Sequence, residues 1–178
     1  MRRNQRRPCG GQAWGVVTLL ALVTGLATGC MVTGQIRGQV LDAQTRQPLP
    51  GAIALAVWTT AEGVPGLTYT KLLGVQEAEV DVQGRFTLER PAGGVYGAHE
   101  SVTVYKFGYT AWNNREIFPT YQRREDTQVP AEIRLDTFPL GANHIRHVDF
   151  LSHVTGGVGL SSRAPMFWKA ARPEELMK

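Results

Sequence analysis

Cysteine is scarce: Cys9 and Cys30 are the only two in 178 residues. Disulfide-dense scaffolds and multi-thiolate metal sites are thereby excluded. Neither a collagen-like period nor coiled-coil heptads occur, so one ordinary globular domain fits the length. The main apolar run, Ala13 to Ala27, would reach only about 22 Å as a helix, short of the roughly 30 Å hydrocarbon core of a bilayer. A permanent membrane-spanning helix is not expected. Acidic residues are missing before Asp42, whereas Arg2, Arg3, Arg6 and Arg7 crowd the start.

Those four arginines account for the formal net charge of +4. Residues after position 29 carry 15 of the 19 basic side chains, which balance all 15 acidic ones. A nucleic-acid binder would need a basic stripe on the folded domain itself, so no nucleic-acid partner is expected.

Residues 1–29 have a basic start, an apolar run and a small-residue end at Ala27-Thr28-Gly29, the three parts of an export signal. No apolar residue follows Arg2-Arg3 at close range, which argues against a twin-arginine signal. Ala27-Thr28-Gly29-Cys30 resembles the lipobox of bacterial lipoproteins, with Ala27 where Leu is commonest. The resemblance implies removal of 1–29, acylation of Cys30 as the new N-terminus, and a lipidated tether at 30–33. Two or more acyl chains, at about 0.8 kcal/mol per buried CH₂, anchor a protein stably to a membrane. Met31 in place of Asp implies, by resemblance to enterobacterial sorting, the outer membrane if the cell is Gram-negative. A plain secretory signal is the alternative, because an ordinary signal peptidase also accepts Ala-x-Gly. With Cys9 removed and Cys30 a thioether, no thiol remains for a disulfide, a metal or a nucleophile. No cofactor is expected.

From Gly34 onward the apolar period is two, that of a half-buried strand. Ile36, Gly38 and Val40 share one face. Ala52–Thr60 is apolar on both faces and is therefore expected to be central. Residues 61–66 read as a Gly/Pro loop, and Leu67–Leu73 as a weaker strand. In Glu77–Leu88, Ala78, Val80, Val82, Phe86 and Leu88 point one way, and a tight hairpin is expected at Gln83-Gly84. Glu100–Phe107 and Ala131–Asp136 supply two more strands. About seven short strands without a convincing amphipathic helix predict an all-β fold, a two-layer β-sandwich over 34–138, with an irregular C-terminal extension over 139–178.

The order Gly38-x-Val40-x-Asp42, Pro48-Leu49-Pro50-Gly51-Ala52, Asp81-x-x-Gly84-Arg85-Phe86-x-Leu88 and Val102-x-Val104 ahead of Gly108-Tyr109 resembles the carboxypeptidase regulatory-like domain. That module is a transthyretin-like Greek-key β-sandwich. The resemblance covers Gly34 to Tyr109 and departs from the usual spacing at Gly63–Gln76. It implies a non-catalytic module used for binding, spacing or folding support.

Four histidines occur, His99, His144, His147 and His153. His144-x-x-His147 would place two imidazoles on one helical face, with Asp149 and His153 nearby as further ligands. The flanking Gly141 to Asn143 and Val148 to Leu151 do not read as a helix, so surface or partner-bonded histidines are expected and no metal. Gly156-Gly157-Val158-Gly159 lacks the Gly-Lys-Ser/Thr of a phosphate cradle and reads as a loop. No nucleophile elbow occurs, and no catalytic residue is assigned. Trp112, Phe118 and Tyr121, interleaved with Arg115, Arg123 and Arg124, are expected in an end loop outside the sheets. They form either a binding surface or a cap on the open end of the core. Met166-Phe167-Trp168 after Pro165 starts a short helix. The reading is a non-enzymatic, lipid-anchored protein of the bacterial envelope that presents a β-sandwich to a protein or glycan. The alternatives are a small envelope enzyme or metal-binding protein using the C-terminal histidines, and a structural accessory subunit.

Overall fold

The computed structural model describes residues 34–91, 98–156 and 162–177. The export signal, Cys30 and Gly157 to Gly159 lie outside the described residues. In chain order the elements are β1 (Gln35–Asp42), β2 (Ile53–Val64), β3 (Leu67–Glu79), β4 (Arg85–Glu89), β5 (His99–Tyr105), β6 (Trp112–Asn113), β7 (Glu116–Ile117), β8 (Gln122–Arg123), β9 (Glu132–Leu135), α1 (His144–Val154) and α2 (Pro165–Glu175). Among the described residues the fold is mostly β, with two short helices.

One sheet has the order β4-β1-β9 and the other β3-β2-β5-β6, while β7 and β8 form a separate ribbon. In the first sheet β1 runs antiparallel to β4 and parallel to β9. Alternation builds the layer between the sheets: Ile36 and Val40, Phe86 and Leu88, and Ile133 and Leu135 meet Ala54, Ala56, Trp58, Val102 and Val104. Gly38 belongs to this face because Phe86 lies across it; a Cβ there would stand 2.8 Å from the Phe86 ring.

β2 is central twice over. It lies between β3 and β5, and its second face, Ile53, Leu55 and Val57, is covered by Phe150, Leu151, Val154, Phe167 and Ala171 from the helices. The C-terminal region is therefore not irregular. The apolar positions of α1 were obscured by its histidines and arginine, yet Val148, Phe150, Leu151 and Val154 are buried at helical spacing. The Asn143 side chain caps its start, accepting from the Arg146 amide at 3.1 Å. The helix expected after Pro165 is present. Its cap residue Ala164 offers no side-chain acceptor, and Glu77 of β3 does that work, accepting from the amides of Met166 and Phe167 at 3.0 Å each.

Four other expectations change. Residues 61–64 are strand, so the only turn between β2 and β3 is Pro65-Gly66. The Asp81–Gly84 turn does not close a hairpin, because β3 and β4 belong to different sheets. Val82 is 76% exposed rather than in the core. Gly84 nonetheless has φ +78°, and a Cβ there would sit 2.6 Å from the Val40 carbonyl oxygen. Finally, Trp112 is not outside the sheets: β6 pairs with β5, Trp112 opposite Val104.

Candidate functional site

Asn113 and Asn114, both buried, detach the chain from the four-stranded sheet. Asn113 Nδ2 lies within hydrogen-bond distance of Ser101 Oγ, Val102 O and Thr103 Oγ1, while its Oδ1 accepts from the amides of Arg115 at 2.8 Å and Glu116 at 3.0 Å. Asn114 Oδ1 accepts from the Val102 amide at 2.8 Å, standing in for a ladder carbonyl. These bonds fix the start of the β7–β8 ribbon, in which Glu116 pairs with Arg123.

The ribbon splits the six residues singled out from sequence. Phe118 and Tyr121 turn inward: both rings lie 5.5 Å from Phe150, and Phe118 is 4.7 Å from His147. Trp112 packs on the inter-sheet core, with the Arg124 guanidinium 5.4 Å above its ring. Arg124 also donates Nε to Asn113 O at 2.8 Å, and burial draws its pKa below the usual arginine value. These four stabilise the fold. Arg115 and Arg123 instead line a cleft of about 410 Å³ with His99, Asn113, Glu116 and His153. Arg115 reaches within 3.3 Å of His99 Nδ1, and His153 Nε2 is 3.0 Å from Glu116 Oε2. The Arg123 guanidinium has no side-chain partner among the described residues. Glu116 is the one carboxylate lining the cleft and is engaged by His153, so the two guanidinium groups leave an excess of cationic donors that suits an anionic group.

The other two histidines, His147 buried and His144 half-buried, cluster around one carboxylate. His144 and His147 share one face of α1, and their Nδ1 atoms lie 2.8 and 2.7 Å from Glu174 Oε1 of α2. The Tyr105 hydroxyl of β5 donates to Glu174 Oε2 at 2.8 Å. The Ala111 amide donates to His147 Nε2 at 2.9 Å, so His147 carries its proton on Nδ1 and gives it to Glu174. Burial, the largest influence on Glu174, pushes its pKa up, but the bonds from His147, His144 and Tyr105 outweigh it and hold the carboxyl below the ordinary glutamate value. Burial and the same carboxylate push the Tyr105 hydroxyl upward. Asp149 is exposed and His153 belongs to the cleft, so neither joins this cluster. Among the described residues no group of three or more His, Cys, Asp or Glu is arranged to hold a metal ion.

Sequence reasoning did not assign roles to Asn113, Asn114, Tyr105 or Glu174. The adjacent asparagines were a weak signal of a break in pairing; the acceptor for the His144-x-x-His147 pair lies 27 residues beyond the second histidine. No family model matches the chain, and neither a curated protein nor a solved structure matches it.

Proposed function

We propose that the chain is a non-enzymatic, lipid-anchored protein of the bacterial envelope that presents a transthyretin-like Greek-key sandwich and binds an acidic group of a protein or glycan partner. The cleft carries this reading: Arg115 and Arg123 face it with His99 and His153, and Arg123 is uncommitted among the described residues. Two observations support the family part of it. Seven strands lie in two sheets across one core, and motif residues distant in sequence meet, with the Tyr109 hydroxyl donating to Asp42 Oδ2 at 3.0 Å. The histidines that the metal-binding alternative would use instead bind the two helices to each other and to the sheet.

The test joins anchoring to binding. Labelled fatty acid is expected to enter the wild-type chain, while Cys30→Ser loses both label and membrane retention. Crosslinking in intact cells is expected to capture a partner that Arg115→Ala/Arg123→Ala no longer captures, at unchanged melting temperature. Equal labelling of the Cys30 variant, or full capture by the arginine variant, would overturn the corresponding half of the proposal.

A further inference from the structure

The β2–β3 hairpin outruns the sheet it belongs to. β5 accompanies β2 only as far as Thr59, opposite His99, whereas β2 and β3 continue to pair from Thr60↔Lys71 to Val64↔Leu67. Every residue from Gly63 to Lys71 is exposed. At about 3.4 Å per residue, the steps from Thr59 to Val64 carry the turn roughly 17 Å past the last three-stranded pair. Among the described residues no further strand pairs with this part of the hairpin, and a two-stranded arm by itself is marginal in water, which favours something that covers it.

Directly opposed residues share a face, so the arm is graded from tip to base. Val64 and Leu67, 64% and 78% exposed, form the tip. Next come Tyr69 and Glu62, the tyrosine hydroxyl donating to the carboxylate at 3.0 Å. Lys71 follows, donating Nζ to the same carboxylate at 2.8 Å. Glu62 and Lys71 are the only charged residues between Thr59 and Leu73, and they neutralise each other. A charged protein partner would find no complement on this arm. A lipid surface matches its order, with apolar groups deepest, a tyrosine at headgroup level and a paired charge outside.

The arm also projects from the end where the chain enters the fold. The Arg90 amide donates to Gly34 O at 3.0 Å, the Arg90 guanidinium binds Glu100, and Glu100 accepts from Trp58 Nε1 at 2.9 Å. Trp58 lies opposite Gly74 at the base of the arm. Cys30 precedes Gln35 by five residues, a reach of at most about 18 Å in extended chain, comparable with the projection of the arm.

We propose that Val64-Pro65-Gly66-Leu67, with Tyr69 behind it, is a second membrane contact that inserts into the lipid surface holding Cys30. This rests on the lipid-anchored reading and adds orientation to it. One lipidated terminus leaves the body free to swivel; a second point of contact fixes its tilt. The cleft with Arg115 and Arg123 is bounded by Thr59 and Thr70 at the base of the arm, so insertion holds it facing a partner close to the headgroups.

The experiment uses the full chain in a Cys9→Ser background. Dye uptake by that chain reports whether Cys30 is acylated. If Cys30 takes the dye, the anchoring reading fails by itself, and the tip is measured in the Cys9→Ser/Cys30→Ser chain with added vesicles. Leu67→Cys then carries a nitrobenzoxadiazole label, with the exposed Val82→Cys, in the turn after β3, as control. In phosphatidylethanolamine–phosphatidylglycerol vesicles the tip label is expected to brighten several-fold and to be quenched by acyl-chain spin labels, unlike the control. Val64→Asp in the labelled Leu67→Cys chain is expected to leave the melting temperature unchanged and to abolish most of the brightening and acyl-chain quenching of the tip label. A tip label as accessible to aqueous iodide as that at Val82 would overturn the proposal. So would brightening that follows protein concentration without vesicles, which marks a second copy as the occupant.

Discussion

Replacing Glu174 with alanine tests how the helices are held. The carboxylate lies between α1, α2 and β5 and accepts from His144, His147 and Tyr105 at 2.7 to 2.8 Å. His147 and Tyr105 are fully buried, so the alanine variant strands two donors away from water. Leaving a buried donor unpaired costs about 1–3 kcal/mol, and the half-buried His144 adds less. A loss of about 3–5 kcal/mol is expected, the scale seen when one partner of a buried charged network is removed. For a unit of this size that lowers the melting midpoint by roughly 10 °C. Glu174→Gln keeps the shape and two accepting lone pairs but loses the charge, and is expected to cost about 1–2 kcal/mol. Urea unfolding followed by circular dichroism measures both. The pH dependence has a definite sign. A carboxyl whose pKa is lowered by folding contributes stability above its ordinary value, near 4.5, and that contribution is lost as pH falls through the lower folded value. The gap between wild type and Glu174→Gln should therefore be full at neutral pH and shrink below about pH 4.5. A cost under about 1 kcal/mol for Glu174→Ala at pH 7 would refute the view that this carboxylate ties helices to sheet.

Gly84→Val is expected to destabilise by about 2–3 kcal/mol, because it meets both a φ of +78° and the Val40 carbonyl; a melt indistinguishable from wild type would deny that backbone conformation. Phe118→Ala should cost about 2–3 kcal/mol through lost contacts with Phe150 and His147, while Arg123→Ala should stay within about 0.5 kcal/mol of wild type. Equal effects of these two changes in thermal melts would contradict the division of the ribbon into an inward and a cleft-facing side. Glu77→Ala should cost about 1 kcal/mol by uncapping α2, read as loss of helical signal ahead of global unfolding.

Much of the β architecture was legible in the chain because it depends on local period and on residues that set turns. Alternation located β1, the core of β2, β5 and β9, and the two-faced apolar run of β2 correctly announced a central strand. Gly84 was legible as a positive-φ position because so few residues adopt one. What the sequence could not decide was what lies beyond each strand. Asp81 to Gly84 reads the same whether the next strand pairs within the sheet or crosses to the facing one, and only the packing of Phe86 against Gly38 places β4 in the other sheet. The helix α1 was hidden because His144 and His147 interrupt its apolar pattern, and their burial becomes affordable only once Glu174 arrives from α2 to accept both protons. The same holds for the aromatic and arginine residues of 112–124. Composition marks them as interface types, but only the fold turns Phe118 and Tyr121 toward Phe150 and leaves Arg115 and Arg123 on the cleft. Period and turn chemistry are properties of neighbours in sequence, whereas a partner for a buried polar group is a property of distance in space.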